Sequence, residues 1–223
     1  MAGLLGYSLE RFEREHVPLA RKNAARFLYY RDRFFEIEGV SGDIVECGVG
    51  KGRSFLMFAL LLDIYKVSER LLWGFDSFEG FPEPTSEDES VRKPMLGDSW
   101  ARVTKIEIVT RRLIRGGLTD LFVEKRTRFV KGFFEDTLHK APAKIALLHL
   151  DVDLYASYKL CLEELYPRVS PGGIIMFDEY QGEGDREKWP GSVKAIDEFS
   201  KKHSLAIVFD APSGKSFIRK PRA

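Results

Sequence analysis

A glycine-dense turn between an apolar strand pattern and an apolar helix pattern constrains the fold of this 223-residue chain more than any other feature. Ile44 and Val45 lead into three glycines at alternate positions, Gly48, Gly50 and Gly52. A strand, a glycine loop and a helix in this order form the entry to a nucleotide-type site, because glycine lets the backbone pass close to a ligand. We therefore predict a ligand-binding loop here, although a glycine-rich turn without a ligand has the same local pattern.

The spacing of the loop and its acidic neighbours favours S-adenosylmethionine over NAD as the ligand. A dinucleotide fingerprint would place its third glycine one residue later, where Arg53 stands. Glu46, two residues before the first glycine, is placed to take a charged amine. Asp76 ends the second predicted strand, 24 positions after Gly52, where an acid can accept the ribose hydroxyls. A capping or turn aspartate is the alternative interpretation of Asp76.

Composition argues against several other classes of partner and compartment. The chain has 35 Lys and Arg against 34 Asp and Glu, so its net charge of +1 offers no general attraction to nucleic acid. Its two cysteines, Cys47 and Cys161, do not form a disulfide framework. We see neither a signal peptide nor an apolar run of about 20 residues that could span a membrane. We therefore expect a cytoplasmic protein without a nucleic-acid or membrane partner.

Strand and helix patterns alternate along the chain and predict an α/β fold. Seven strands are predicted, at 43–47, 71–76, 128–131, 145–151, 174–178, 205–209 and 216–219. The alternation is typical of a doubly wound, mostly parallel sheet, and a terminal hairpin makes the last strand antiparallel. A tight turn at 170–173 is expected to lead into the fifth strand.

The N-terminal segment and one long loop have more than one interpretation. We predict that 1–39 forms a helical cap, broken at Pro18, on a domain spanning 40–223. The aromatic run at 27–35 caps the core, walls a substrate pocket or forms a dimer contact, and we expect a homodimer. The loop at 77–99 is either a lid over the site or a solvated insertion.

Acidic residues end two strands that we expect to be neighbours. Asp151 ends the fourth strand, and Asp178 and Glu179 end the fifth. Ligands bind outside the carboxyl ends of such strands, and gathered carboxylates favour a hard cation such as Mg²⁺. These three residues are therefore the predicted metal ligands. The alternative is that one or more of them caps a helix or pairs with a lysine or arginine.

Four further positions have candidate roles at the site. Asp153 and His149 are the nearest general bases to the predicted metal, although Asp153 also suits a helix N-cap and His149 a core position. Gly132 and Phe133 follow the third strand, and the aromatic ring is placed either to contact an adenine or to pack in the core.

Several longer motifs resemble a known family. The glycine motif at 46–52 and the seven-strand layout resemble class I methyltransferases, which are Rossmann-like, over 40–220. Six segments resemble the macrocin O-methyltransferase family: DSFEGFP at 76–82, KGFFEDTL at 131–138, LDVDLYAS at 150–157, LYPRVSPGG at 165–173, DEY at 178–180 and VKAIDEF at 193–199.

The resemblance implies an activity and a set of site residues. Members of this family use S-adenosylmethionine and Mg²⁺ to methylate a hydroxyl on the sugar of a natural product. The motifs carry over Asp151, Asp178 and Glu179 as metal ligands, and they place Ser77 beside Asp76 at the cofactor. A small-molecule hydroxyl acceptor is the expected partner. The alternatives are a catechol or another vicinal diol as acceptor, or a non-catalytic cofactor-binding protein on the same fold. The chain departs from the family pattern at Val152 and at Glu179, where glycine and aspartate are usual.

Overall fold

The computed structural model describes residues 20–98 and 104–222, and the predicted break at Pro18 lies outside them. The helices are α1 Arg21–Glu36, α2 Arg53–Ile64, α3 Ile106–Arg115, α4 Asp120–Arg126, α5 Phe134–Thr137, α6 Tyr155–Leu165, α7 Asp185–Lys188 and α8 Pro190–His203. The strands are β1 Asp43–Cys47, β2 Leu72–Asp76, β3 Thr127–Lys131, β4 Ile145–Leu150, β5 Val169–Phe177, β6 Ile207–Asp210 and β7 Lys215–Arg219. Short 3₁₀ turns lie at Ser86–Asp88, Leu138–Lys140 and Tyr166–Arg168.

The seven strands form one sheet in the order β3-β2-β1-β4-β5-β7-β6. The first five strands in this order pair in parallel, and β7 pairs antiparallel with both β5 and β6. The reversed strand therefore lies one place in from the edge. This topology confirms the predicted doubly wound sheet with its antiparallel last strand. The strand order reverses between β1 and β4, and such a switch point opens a crevice at the carboxyl ends of the strands.

The apolar strands are buried on both faces of the sheet. All six residues of β4 are buried, as expected for a central parallel strand. In β1, Ile44 packs into the core cluster with α1 and α2, while Val45 packs into the cluster with α6 and α8. Successive side chains of a strand point to opposite faces, so two cores form around one sheet. Those two cores hold the carboxyl ends of β1 and β4 in place.

One predicted turn is wrong. The residues at 170–173 lie within β5, which runs without a break from Val169 to Phe177. Here β5 advances five residues while β4 advances two, so this part of β5 bulges out of register. The amide of Gly172 donates to the carbonyl oxygen of Lys220, whose own amide donates to Gly173. The backbone polar groups of the bulge are therefore hydrogen-bonded to a residue beyond β7 that is distant in sequence. The residues at 170–173 give no local indication of this pairing.

The helix α1 packs onto the same core as the sheet. Tyr29, Tyr30 and Phe34 are buried in the cluster that also contains α2. The hydroxyl of Tyr29 donates to the carbonyl oxygen of Ser216, 187 positions away. The boundary between the predicted cap, 1–39, and the predicted domain, 40–223, stays a prediction. Within the described ranges, none of the helices has both the length and the apolar character needed to cross a bilayer.

Two glycines of the loop after β1 offer a matched test of backbone crowding. Gly48 has φ +84°, and a Cβ there would lie 1.8 Å from the carbonyl oxygen of Asp151. Gly50 has φ +50°, but a Cβ there would meet nothing within 4 Å. We expect Gly48→Ala to lower the free energy of unfolding by about 3 kcal/mol or more, because backbone must shift, and Gly50→Ala by only about 1 kcal/mol of left-handed strain. Urea unfolding of the ligand-free protein measures both, and equal losses would contradict the crowding argument.

Candidate active site

A cavity of about 570 Å³ opens at the carboxyl ends of the central strands. Its walls come from α1, the glycine loop, the ends of β2, β3 and β4, and the start of the loop after β2. The residues that line it include Arg26, Tyr30, Gly48, Gly50, Asp76, Ser77, Phe81, Gly132, Phe133, Asp151, Asp153 and Asp178. Most of the predicted cofactor and metal residues therefore share one cavity. Its location is the switch point between β1 and β4.

The glycine loop turns tightly around the end of β1. Gly48, Gly50 and Gly52 all have positive φ, a region that glycine enters without strain. Gly48 and Gly50 line the cavity, whereas Gly52 is buried at the start of α2. A Cβ on Gly52 would lie 2.7 Å from the side chain of Val109. The third glycine thus lets α3 pack closely against the loop.

Asp76 connects the end of β2 to the glycine loop. Its carboxylate accepts hydrogen bonds from the amide of Gly50 at 2.8 Å and from the amide of Phe78 at 2.6 Å. Burial raises the pKa of Asp76, although these backbone bonds oppose the rise. The amide of Val49 also contributes a hydrogen bond, and a carboxylate has about four lone-pair sites, so some acceptor capacity remains for ligand hydroxyls. Ser77, next in the chain, also lines the cavity, and its hydroxyl donates to the carbonyl oxygen of Gly80.

Gly132 and Phe133 form the wall that follows β3. Gly132 has φ +136°, and the amide of Gly132 donates to the carbonyl oxygen of Asp76. This bond holds the end of β3 against the end of β2. Phe133 directly precedes α5 and is only partly buried, so its ring remains available to a ligand.

Glu46 and His149 form a fully buried pair beneath the cavity. The Nδ1 atom of His149 lies 2.8 Å from Oε1 of Glu46, and both side chains are at most 1% exposed. Burial raises the pKa of Glu46. Burial opposes the charging of His149, but the bond to Glu46 and its negative charge outweigh this and raise the pKa of His149. The rings of Tyr30 and Phe58 pack edge-on against the imidazole, and neither Glu46 nor His149 is among the residues that line the cavity.

Three carboxylates meet at the ends of β4 and β5. Oxygen atoms of Asp151, Asp153 and Glu179 all lie within 4.8 Å of one another. Burial and the neighbouring Asp178 carboxylate raise the pKa of Asp151 to about 7. Burial and the other carboxylates also raise the pKa of Asp153 and of Glu179 well above their ordinary values. The cluster therefore holds more negative charge than its surroundings neutralise.

The helix-capping interpretation of Asp153 is wrong. Leu154 occupies the N-cap of α6, and no side chain of the cap residue bonds to the helix. Asp153 instead has φ +59° and directs its carboxylate into the cavity. Backbone strain of this kind, about 1 kcal/mol or more, is concentrated at functional sites. The first amide of the helix, that of Tyr155, donates to Asp88 Oδ1 at 2.8 Å, so an acid from a distant loop replaces the local cap.

Asp178 is paired with a lysine. The Nζ atom of Lys215 lies 2.7 Å from Oδ2 of Asp178 and also donates to the carbonyl oxygen of that residue. Burial alone would raise the pKa of Asp178, but Lys215, with His149 and Arg26 at longer range, lowers it well below its ordinary value. Of the three predicted metal ligands, Asp151 and Glu179 therefore lie in the cluster, and Asp178 is held by the ammonium group of Lys215. No local signal marked Lys215 as part of the site.

Glu179 is buried against Tyr158. The hydroxyl of Tyr158 lies 2.8 Å from Oε2 of Glu179 and 2.9 Å from the carbonyl oxygen of Leu150. A phenol has one proton and can donate to only one of these acceptors at a time. With a proton on Glu179, as its raised pKa favours, both contacts become hydrogen bonds. Coordination of a cation by Glu179 would require that proton to leave.

The loop after β2 is fastened at several points. Asp88 is buried, and besides the amide of Tyr155 it accepts the amide of Thr85 at 2.9 Å. Arg92 pairs with Asp98 at 2.8 Å. The first part of the loop, with Phe81 and Pro82, lines the cavity. The described part of the predicted lid is therefore more than a solvated insertion, because it supports the start of α6 and walls the site.

The fold and the cavity together define a class I methyltransferase. The O-methyltransferase NovP has a similar structure, with a TM-score of 0.74, 31% identity, and coverage of 89% of this chain and 80% of that chain. CalS11, a calicheamicin methyltransferase, aligns with a TM-score of 0.77 and 25% identity, over 96% of this chain and 86% of the other.

The chain belongs to the macrocin O-methyltransferase (TylF) family, whose model matches residues 32–210. A curated relative, the mycinamicin III 3''-O-methyltransferase of Micromonospora griseorubida, is 33% identical over 174 residues, which are 76% of this chain and 64% of the relative. The chain spans only 54 to 64% of the length of the curated relatives that it matches. The family predicted from the sequence motifs is thus confirmed.

The raised pKa of Asp151 predicts a gain in stability when its charge is removed. Between about pH 4 and pH 7 the folded protein holds a proton at Asp151 that the unfolded chain has released, so the free energy of unfolding falls as pH rises through that window. We expect Asp151→Asn to raise the free energy of unfolding by about 2 kcal/mol at pH 8, and the gain to vanish near pH 4. Denaturant unfolding with a chelator present measures it.

Asp63→Asn is the control for this prediction, because the side chain of Asp63 is 41% exposed on α2. We expect it to change the free energy of unfolding by less than about 0.5 kcal/mol. A loss of stability in Asp151→Asn at pH 8 would show that the cluster is not under electrostatic strain.

Proposed function

We propose that this chain is an S-adenosylmethionine-dependent O-methyltransferase that acts on a small-molecule hydroxyl, that of a natural-product sugar. The observation that carries the proposal is a single cavity that contains both the glycine loop with Asp76 and a carboxylate cluster. The mycinamicin relative is named for methylation at a 3'' hydroxyl, and that name supports a sugar acceptor.

In this proposal the glycine loop and Asp76 hold the methyl donor. The backbone at Gly48 and Gly50 approaches the methionine part, and the free lone pairs of Asp76 accept the ribose hydroxyls. Ser77, Gly132 and Phe133 complete the wall on the adenosine side. Glu46, which the sequence analysis placed to bind the charged amine of the donor, lies beneath the glycine loop. There it supports the loop through its pair with His149.

The carboxylate cluster fits a divalent cation such as Mg²⁺. It offers closely spaced oxygen ligands and excess negative charge, which is the donor set that hard cations prefer. Asp151 and Glu179 would hold the cation together with Asp178, the third predicted ligand, or Asp153, which the fold places in the cluster. When bound, such a cation lowers the pKa of an acceptor hydroxyl and fixes its orientation.

The chain itself supplies orientation and a proton acceptor. The cavity holds donor and acceptor sites side by side, so a methyl group can be transferred in line to a bound hydroxyl. Asp153 lines the cavity and is the stronger candidate for accepting the hydroxyl proton. His149 is buried and bonded to Glu46, so we assign it to positioning β1 against β4.

We also propose that the chain forms a homodimer in the cytoplasm. Exposed apolar side chains on neighbouring helices, Leu28 and Phe35 of α1 with Tyr65 after α2, support a contact between copies. The rings of Phe35 and Tyr65 pack together at 4.7 Å between centroids, so they form one continuous apolar surface.

Calorimetry separates the proposed cofactor from its rival. We expect S-adenosylmethionine to bind and NAD⁺ to give no heat of binding. Asp76→Asn should weaken the affinity at least about tenfold, because it removes charge and one acceptor from the ribose side. Asp63→Asn, on an exposed helix face, should leave it unchanged. Binding of NAD⁺ alone would overturn the proposal, and binding of neither would favour a non-catalytic protein on this fold.

Methyl transfer to a panel of acceptors tests the reaction. We expect activity on a deoxysugar glycoside, loss of activity after prolonged chelation, and recovery when Mg²⁺ is returned. Asp151→Asn should lower kcat by at least about a hundredfold, because it removes a residue common to both candidate ligand sets. Full activity after chelation would refute the metal half of the proposal. Activity on catechol alone would show that the acceptor is an aromatic diol and not a sugar.

A further inference from the structure

Lys215 is a buried cation at the edge of the carboxylate cluster, and the proposed chemistry gives it no part. It lies at the start of β7, and its side chain is only 7% exposed. The cost of burying an ammonium group is large unless it is paired and hydrogen-bonded. A lysine buried to this extent does not serve solubility at the surface, so its position calls for another explanation.

The contacts of Lys215 are concentrated on one residue. Its Nζ atom lies 2.7 Å from Oδ2 of Asp178 and 2.7 Å from the carbonyl oxygen of the same residue. The amide of Asp178 donates to the carbonyl oxygen of Leu150, which holds the backbone in place. Asp178 also lines the cavity, so its carboxylate lies between the lysine and the site.

Charge in the cluster explains why a cation is needed there. Asp151, Asp153 and Glu179 already meet within 4.8 Å, and Asp178 follows β5 directly beside them. Three carboxylates at such distances, with Asp178 nearby, repel strongly in a partly buried site when they are ionised. The ammonium group of Lys215 offsets part of this negative charge at Asp178.

We infer that Lys215 is a resident counter-ion that competes with the divalent cation for Asp178 and thereby sets the affinity of the site for that cation. The inference rests on the metal half of the proposed function. Lys215 is a positioning residue, since it acts through Asp178. The cation must either displace the ammonium group from Asp178 or bind using the other carboxylates alone.

Calorimetric titration of Mg²⁺ into the metal-free protein tests this, with thermal unfolding in a chelator as a second readout. Lys215→Gln removes the charge but keeps an N–H donor for the carbonyl oxygen of Asp178. We expect it to bind Mg²⁺ at least about tenfold more tightly than the native chain. Without metal its melting temperature should fall by several degrees, and saturating Mg²⁺ should recover the loss.

Two variants serve as controls. Lys215→Arg keeps the charge and should keep the native affinity to within about threefold. Lys202→Met removes an exposed lysine whose ion pair with Glu163 is loose, at 3.9 Å, and should change nothing. If Lys215→Gln is poorly folded, the double variant with Asp178→Asn removes the uncompensated charge. The double variant should then recover the metal-free melting temperature.

The outcomes separate this inference from the proposed function. Native binding with the same affinity in Lys215→Gln would overturn the inference and leave the metal site standing. Binding only in Lys215→Gln would support the inference and show that the lysine excludes Mg²⁺ from the native chain. Binding in neither protein would overturn the inference together with the metal half of the proposed function.

Discussion

The backbone contact between Gly48 and Asp151 is the constraint on which the rest of the site depends. A Cβ at Gly48 would lie 1.8 Å from the carbonyl oxygen of Asp151, and the amide of Asp151 donates to the carbonyl oxygen of Cys47. The ends of β1 and β4 are thus joined at the point where the strand order reverses. This contact brings the glycine loop and the carboxylate cluster into one cavity, because each begins where its strand ends.

Electrostatic compensation determines how so many acids can share that cavity. Lys215 pairs with Asp178, and the hydroxyl of Tyr158 lies 2.8 Å from Oε2 of Glu179. Burial and the neighbouring carboxylates raise the pKa values of Asp151 and Asp153. The imbalance is typical of functional sites, where groups are arranged for a ligand rather than for the stability of the free protein.

The sequence predicted the fold and most of the cavity because those signals are local. Strand periodicity, the glycine spacing and the acids at strand ends place Asp76, Asp151 and Asp178 correctly at one edge of the sheet. Contacts between residues far apart in the sequence could not be predicted, because the residues around each position carry no information about a distant partner. Nothing near Asp88 indicates that it contacts the amide of Tyr155, 67 positions later, and nothing near Lys215 indicates its bond to Asp178. The sequence position of Asp153, two residues before its helix, suits an N-cap, but the first amide of that helix bonds to an acid from another loop.

The loop after β2 divides into fixed and free parts, and this division has an evolutionary consequence. Asp88 ties one end to α6, and the ion pair between Arg92 and Asp98 closes the other. Between and around these points Val91, Met95 and Leu96 are largely exposed and make little contact with the core. Sequence in this stretch can change in length and polarity without moving Asp153 or the start of α6. Surface residues of this loop can therefore diverge between relatives while the buried anchor at Asp88 is retained.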